Sequence, residues 1–177
     1  TIYVTPSRLD DATQAAIIAA TTAAAKAIGL GQGPVHAELR INDDGVWVIE
    51  VAARSIGGLC GRTLKFGAGI SLEEIILRHA LGLPTDSLER EAQASGVMMI
   101  PIPSGGTLAS VGGQDAARDM SGIEDVRITI AEGQPVVPLP EGDKYLGFIF
   151  ARSPDPEAVE AALRSAHAAL NFEIDSA

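Results

Sequence analysis

The chain has 177 residues, 46% of them apolar and 20% charged, which suits one large or two small packed domains and argues against a disordered chain. A net charge of −10 is repelled by phosphate backbones and anionic lipid, so nucleic acid and membrane surfaces are poor partners. No apolar run approaches the ~18–20 residues of a membrane span, and the lone Cys60 excludes an internal disulfide or a multi-cysteine zinc site.

Aromatic residues are only 4% of the chain, so the expected core is Ala, Ile, Leu and Val. The first residues, Thr1-Ile2-Tyr3-Val4, lack an initiator Met and the basic and apolar regions of a signal peptide. They read as part of a strand. The expectation is a piece of a longer, cytoplasmic protein.

In chain order, Ile2 to Val4 predicts a strand ended by Pro6. Asp10 or Asp11 can cap a helix to about Ile28, with Ile17, Ala20, Ala24 and Ile28 at helical spacing and Gly29 as its stop. Val35–Ile41 and Val46–Val51 flank Asn42-Asp43-Asp44-Gly45 and predict a hairpin. Residues 55–69 are glycine-rich and irregular, with a short helix expected near Gly61–Phe66. Ser71–Leu81 is a helix with a capping box at Ser71 and Glu74 and a glycine stop at Gly82.

Residues 85–95 are polar and read as a connection. Beyond them, Val97–Ile102 and Thr107–Val111 predict strands around Pro103-Ser104-Gly105-Gly106. A short helix is expected at Gln114–Met120, strands at Val126–Ile130 and Tyr145–Ala151, and a weaker strand at Gln134–Leu139. Asp155-Pro156 starts a last helix with Val159, Leu163, Ala166 and Leu170 as its stripe. Adjacent hairpins rather than strict β-α alternation give an α+β class.

The hairpin carries the chemistry. With a three-residue turn, Asn42 pairs with Val46, Arg40 with Val48, Glu38 with Glu50 and His36 with Ala52. Val35, Ala37, Leu39, Ile41, Trp47, Ile49 and Val51 then share an apolar face, with Trp47 in the core. His36, Glu38, Arg40 and Glu50 share the other face. Like charges directly opposite repel, their side chains starting ~5 Å apart. They need a shared proton, an arginine (Arg40 or Arg54) or a metal, and magnesium takes one or two carboxylates plus substrate phosphates. The competing reading is a solvated sheet face, and a one-residue register slip would part the two glutamates. Arg54 is placed to grip a phosphate or carboxylate, and Gly57 and Gly58 would let an anion approach the backbone. No Walker A or G-x-G-x-x-G pattern is present.

The run GPVHAELRINDDGVWVIEVAARSIGG, followed by SLEEIILRHALG, resembles the C-terminal half of an ATP-grasp domain. That family carries two acidic metal ligands on neighbouring strands, the second opening a Glu-x-Asn-x-Arg motif. Glu38 and Glu50 match the acids and Arg54 the arginine. Ala52 stands where biotin carboxylase and carbamoyl-phosphate synthetase carry asparagine, and is closer to the L-amino-acid ligase-like branch. GDKYLGFIFARSPDPEAVEAALRSAHAAL is similar to the end of such ligases' C-terminal domain. The resemblance implies the C-terminal lobe of an ATP-grasp domain over residues 1–90 and a small α+β domain over 91–177. It implies ATP and Mg2+ as cofactors, with Glu38 and Glu50 holding the metal and Arg54 as the catalytic cation. The substrate site would include Arg54, Gly57, Gly58 and His36. The reaction implied joins a small-molecule carboxylate to an amine through an acyl phosphate. The N-terminal ATP-grasp segments, with their phosphate-gripping lysines, should precede Thr1, so the fragment alone is expected to be inactive.

Two rival readings stand beside it. One is a bicarbonate-activating enzyme of the biotin carboxylase or carbamoyl-phosphate synthetase kind. The other is a non-catalytic binding or assembly module. Low charge density over residues 97–113 leaves a homo-oligomer open. Cys60 has no visible histidine partner and reads as a small buried side chain. His79 and His167 read as surface or packing residues. Arg62 and Lys65 could reach a phosphate but equally form a short cationic face.

Overall fold

The computed structural model describes every residue except Ala68, Asp86 and Ala177. The expected irregular stretch at 55–69 and the connection at 85–95 each include one residue outside that description. The chain is α+β, built on antiparallel strand pairs. It divides into two compact units: Ser7–Glu91, and Thr1–Pro6 together with Ala92–Ala177.

The chain starts with strand β1 (Ile2–Thr5). Helix α1 (Asp11–Ala27) follows, capped by Asp10, whose carboxylate accepts from the Thr13 amide at 2.8 Å. Its half-buried stripe of Ile17, Ala20 and Ala24 keeps the expected spacing, but Ile28 falls outside the helix and is exposed. Strands β2 (His36–Asn42) and β3 (Gly45–Ala52) form the hairpin, and α1 packs on β3.

The expected helix near Gly61–Phe66 is shorter and earlier, a 3-10 turn at Cys60–Thr63. Lys65–Phe66 (β4) instead pairs with Ile70–Ser71 (β5). Helix α2 (Leu72–Ala80) starts from Ser71, whose hydroxyl accepts from the Glu74 amide at 3.1 Å. The Glu74 carboxylate binds Arg78 one turn on. Among the described residues of Ser7–Glu91, only Cys60, Gly61 and Thr63 are buried. Ile18, Ile49, Leu77 and Leu81 are all more than 60% exposed.

The other unit holds the large core. Strands β6 (Ala94–Ile100), β7 (Gly106–Gly112), β8 (Ile123–Ile128), β9 (Pro135–Val136), β10 (Gly147–Ser153) and β11 (Asn171–Asp175) form two sheets. One has the order β1-β6-β10-β8 and the other β11-β7-β9. Helix α3 (Gln114–Arg118) and helix α4 (Pro156–Ala169) complete the unit. Asp155 caps α4 by accepting from the Ala158 amide at 2.7 Å, with Pro156 in the first turn. Val159, Leu163 and Ala166 are fully buried, as their spacing requires.

Three strand placements depend on partners far apart in the chain. The division at residue 90/91 placed β1 with the first part, but β1 pairs with β6, Tyr3 opposite Val97. Four residues at one end of a sequence say nothing about a strand some ninety residues away. Second, β6 and β7 flank the Pro103–Gly106 turn but lie in different sheets. Third, β11 was not expected; its Phe172 and Ile174 pack on the core, and the strand pairs with β7.

Close packing fixes two contacts that can be tested. A Cβ on Gly96 would lie 2.7 Å from both the Tyr3 carbonyl oxygen and Val159 Cγ1. Gly96→Ala should therefore destabilise the chain by ~1–3 kcal/mol, measured by urea unfolding. In α4, His167 Nε2 is buried without a hydrogen-bond partner, and the ring lies 6.1 Å from Phe172. Burial pushes the imidazole below its ordinary value of 6.5. The folded state favours the neutral ring, so its contribution is complete above pH 6.5 and declines as pH falls below that value. A melting-temperature series from pH 8 to 5 should show a decline that His167→Leu reduces.

Candidate functional site

The hairpin brings the two glutamates together by a different route from the one expected. Asn42 stands opposite Gly45, so the connection is only Asp43-Asp44. Ile41 then pairs with Val46, Arg40 with Trp47 and Leu39 with Val48. The register shifts between Glu38 and Leu39, leaving Ile49 as the extra residue of a bulge. Beyond it Glu38 faces Glu50, Ala37 faces Val51 and His36 faces Ala52. The extra residue sits within β3 rather than in the turn.

This corrects the face assignment of the residues between the turn and the bulge. Paired residues share a face, and neighbours along a strand alternate. Trp47, opposite Arg40, therefore lies on the face of Glu38 and Glu50 and not with Leu39. The residue is 54% exposed rather than core, and its indole N–H donates to Asn42 Oδ1 at 3.0 Å. The run Val46-Trp47-Val48-Ile49 is apolar throughout, so it carries no alternation from which a face could be read.

Each glutamate has its own partner. The Arg54 Nη2 donates to Glu50 Oε1 at 2.7 Å, and Nη1 donates to the Ser55 carbonyl at 3.1 Å. His36 Nε2 donates to Glu38 Oε1 at 3.1 Å. His36, and not Arg40, is thus the partner of Glu38. Both members of the Arg54–Glu50 pair are close to half exposed, where such a bond contributes only ~0–1 kcal/mol. Arg54 can exchange Glu50 for another anion at little cost.

Past Arg54 the chain turns through Ser55-Ile56-Gly57-Gly58. Gly58 has φ +62°, a conformation that favours glycine. A Cβ on Gly57 would meet nothing within 4 Å, so the space beside it is open. Four of the sequence-predicted residues, His36, Glu38, Glu50 and Arg54, are joined into two bonded pairs on paired strands and the turn after them. Gly57 and Gly58 follow within four residues of Arg54. Cys60 is buried and its thiol pKa is raised by that burial, as expected of an inert cysteine.

Residues 1–63 match the family model of the ATP-grasp domain, and residues 98–175 match that of L-amino acid ligase C-terminal domain 2. Over these two segments the chain resembles the ATP-grasp superfamily and its L-amino acid ligases. Its backbone superposes on an L-amino acid ligase from Bacillus licheniformis with a TM-score of 0.81 and 28% identity, over 99% of this chain and 44% of that one. It has the same fold as phosphoribosylglycinamide synthetase from Anaerococcus prevotii, with a TM-score of 0.77 and 16% identity, over 98% of this chain and 45% of that one. A curated relative, the uncharacterized protein y4rH of Sinorhizobium fredii, is 24% identical over 84% of this chain and 31% of its own length. The chain thus spans less than half of the relatives it matches.

The residues present fit a magnesium ion bound with a nucleotide. Among the described residues no group of three or more His, Cys, Asp or Glu side chains is placed to hold a metal. Two opposed carboxylates are the number magnesium takes from a protein when phosphates complete its shell. Among the same residues, no helix is long and apolar enough to cross a membrane.

Proposed function

We propose that the chain is the C-terminal part of an ATP- and magnesium-dependent carboxylate–amine ligase that works through an acyl phosphate. The observation that carries this is the Glu38–Glu50 pair, opposed across a bulged hairpin with Arg54 bonded to its second member. The match of residues 98–175 to an L-amino acid ligase domain favours amino acids as substrates. ATP as co-substrate fits a cytoplasmic enzyme.

Glu38 and Glu50 would hold magnesium, which supplies positive charge against the phosphates of ATP when bound. In the first step a substrate carboxylate oxygen bonds to the terminal phosphorus and ADP leaves. Arg54 would turn from Glu50 to the transferring phosphoryl group and offset its charge, which is the main task in such transfers. In the second step an amine attacks the acyl carbon, phosphate leaves and the amine loses a proton. Gly57 and Gly58 would leave room for the acceptor, and His36 would contact substrate beside Glu38.

The rest of the enzyme is proposed to be N-terminal ATP-grasp segments that cover the Ser7–Glu91 unit. The few buried residues of that unit, and its many exposed aliphatic side chains, support this reading. The small α+β portion is proposed to run from about residue 91 to 177, with β1 added as an edge strand.

The test follows phosphate release from ATP and magnesium by the full-length parent across amino-acid pools, with bicarbonate as a separate arm. Release should require an amino acid, and the isolated 177 residues should show none. Glu50→Gln should lower turnover by about a hundredfold or more. Its stability should change by less than ~1 kcal/mol, because the lost Arg54 pair is offset by relief of the Glu38 repulsion. Bicarbonate-driven release without an amino acid would replace the ligase reading with the carboxylase-like one. Unchanged biological activity in Glu50→Gln would favour a non-catalytic module. Gly57→Ala should fold normally, given the open space, and shift the acceptor preference toward smaller substrates; competition between alanine-sized and larger amino acids measures it.

A further inference from the structure

The two opposed glutamates are held by unlike partners. Glu50 is bonded to Arg54, a long cation close to half exposed, which the reaction above draws toward the phosphoryl group. Glu38 is bonded to His36, whose side chain is mostly buried while that of Glu38 is half exposed. His36 and Glu38 are two residues apart on β2, so they share one face of the strand, and both lie on the same side of the bulge. Among the described residues His36 is the one side-chain partner of the Glu38 carboxylate; Arg40, two residues the other way, is not bonded to it. Directly across the hairpin from His36 stands Ala52, whose methyl group offers no polar atom to compete for the imidazole. The bond runs from Nε2 to Oε1 at 3.1 Å, and it uses only one of the two carboxylate oxygens.

We propose that His36 is a positioning residue for the magnesium site: it fixes the Glu38 carboxylate by Oε1 and so presents Oε2 to the ion. This rests on the magnesium-dependent reading above and gives His36 a role through Glu38, separate from contact with substrate. A glutamate side chain has several torsions to order, and ordering them when the ion binds costs entropy. A mostly buried ring bonded to one oxygen orders them beforehand. Magnesium demands near-ideal octahedral geometry, so a carboxylate already in place favours it. Partners that hydrogen-bond a ligating carboxylate act in this way, and losing one lowers metal affinity by about 10–100-fold. The imidazole is not itself a ligand here. Its Nε2 is committed to Glu38, and magnesium takes oxygen rather than nitrogen. Arg54 can leave Glu50 because the ion replaces its charge. His36 has no reason to leave, since it bonds an oxygen that the ion does not need.

The test reads metal-dependent binding, not turnover, in the full-length parent. Calorimetry measures a non-hydrolysable ATP analogue once with magnesium and once with a chelator in its place. The proteins are wild type, His36→Phe and His36→Gln, each checked for folding by circular dichroism and melting temperature. Phenylalanine keeps a ring and removes the N–H. Glutamine removes the ring and keeps an amide N–H as many bonds from the backbone as Nε2. With magnesium, His36→Phe should weaken the analogue about tenfold or more, and His36→Gln should stay close to wild type. Without magnesium all three should bind alike. His36→Ala is the second donor-free variant if the phenylalanine does not fold. Equal affinity of wild type and a folded donor-free variant with magnesium would overturn the proposal. So would a glutamine variant as weak as the phenylalanine one, since that marks a packing role for the ring. A loss in His36→Phe that is the same with and without magnesium would overturn it as well, because the histidine would then act on the nucleotide or the hairpin and not through the metal. A folded wild type whose binding gains nothing from magnesium would instead remove the magnesium-dependent reading, and this inference with it.

Discussion

Two carboxylates directly opposite each other across an antiparallel pair destabilise the hairpin that holds them. Glu38 and Glu50 occupy that arrangement, and the rest of the site is organised around the repulsion. Arg54 closes on Glu50 from the turn just beyond β3, and His36 closes on Glu38 from the same strand. Both bonds are local, made by residues at most four positions apart. The hairpin can therefore give each carboxylate a hydrogen-bond partner of its own before anything else binds. Because the Arg54–Glu50 pair is partly exposed, it holds its carboxylate weakly. A divalent cation could take its place without a large loss of stability.

The bulge at Ile49 makes this pairing possible and decides what else shares the face. With a two-residue connection at Asp43-Asp44, an unbroken ladder would set Glu38 opposite Ile49. One extra residue in β3 restores the Glu–Glu pairing and leaves Trp47 on the glutamate side of the sheet. Bulges are common beside functional sites because they re-aim side chains in this way. Here the same insertion aligns the two glutamates and places Trp47 in the next row of the same face.

The two units spend their apolar residues differently. The unit formed by Thr1–Pro6 and Ala92–Ala177 encloses a continuous aliphatic core, with α4 laid over β6 so closely that Gly96 has no room for a methyl group. The Ser7–Glu91 unit carries the candidate site but buries little beyond Cys60 and Thr63. Scaffold and chemistry are thus separated along the chain. The chain enters the first unit through β1, leaves it for the whole of the second, and returns at β6.

The sequence by itself determined the elements whose signals are local. Capping by Asp10, Ser71 and Asp155, the apolar stripe of α4, and the hairpin around Asp43-Asp44 all depend on residues within a few positions of each other. The glutamate pair was legible too, because 38 and 50 are equidistant from a turn of three, and a bulge happens to keep the same sum. Tertiary structure alone decided which face Trp47 occupies, since four consecutive apolar residues fit either side of a sheet. It alone decided that β1 joins β6, and that β6 and β7 part into different sheets. Strand partners far apart in the chain are chosen by the packing of a whole core, and no short run of residues encodes that choice.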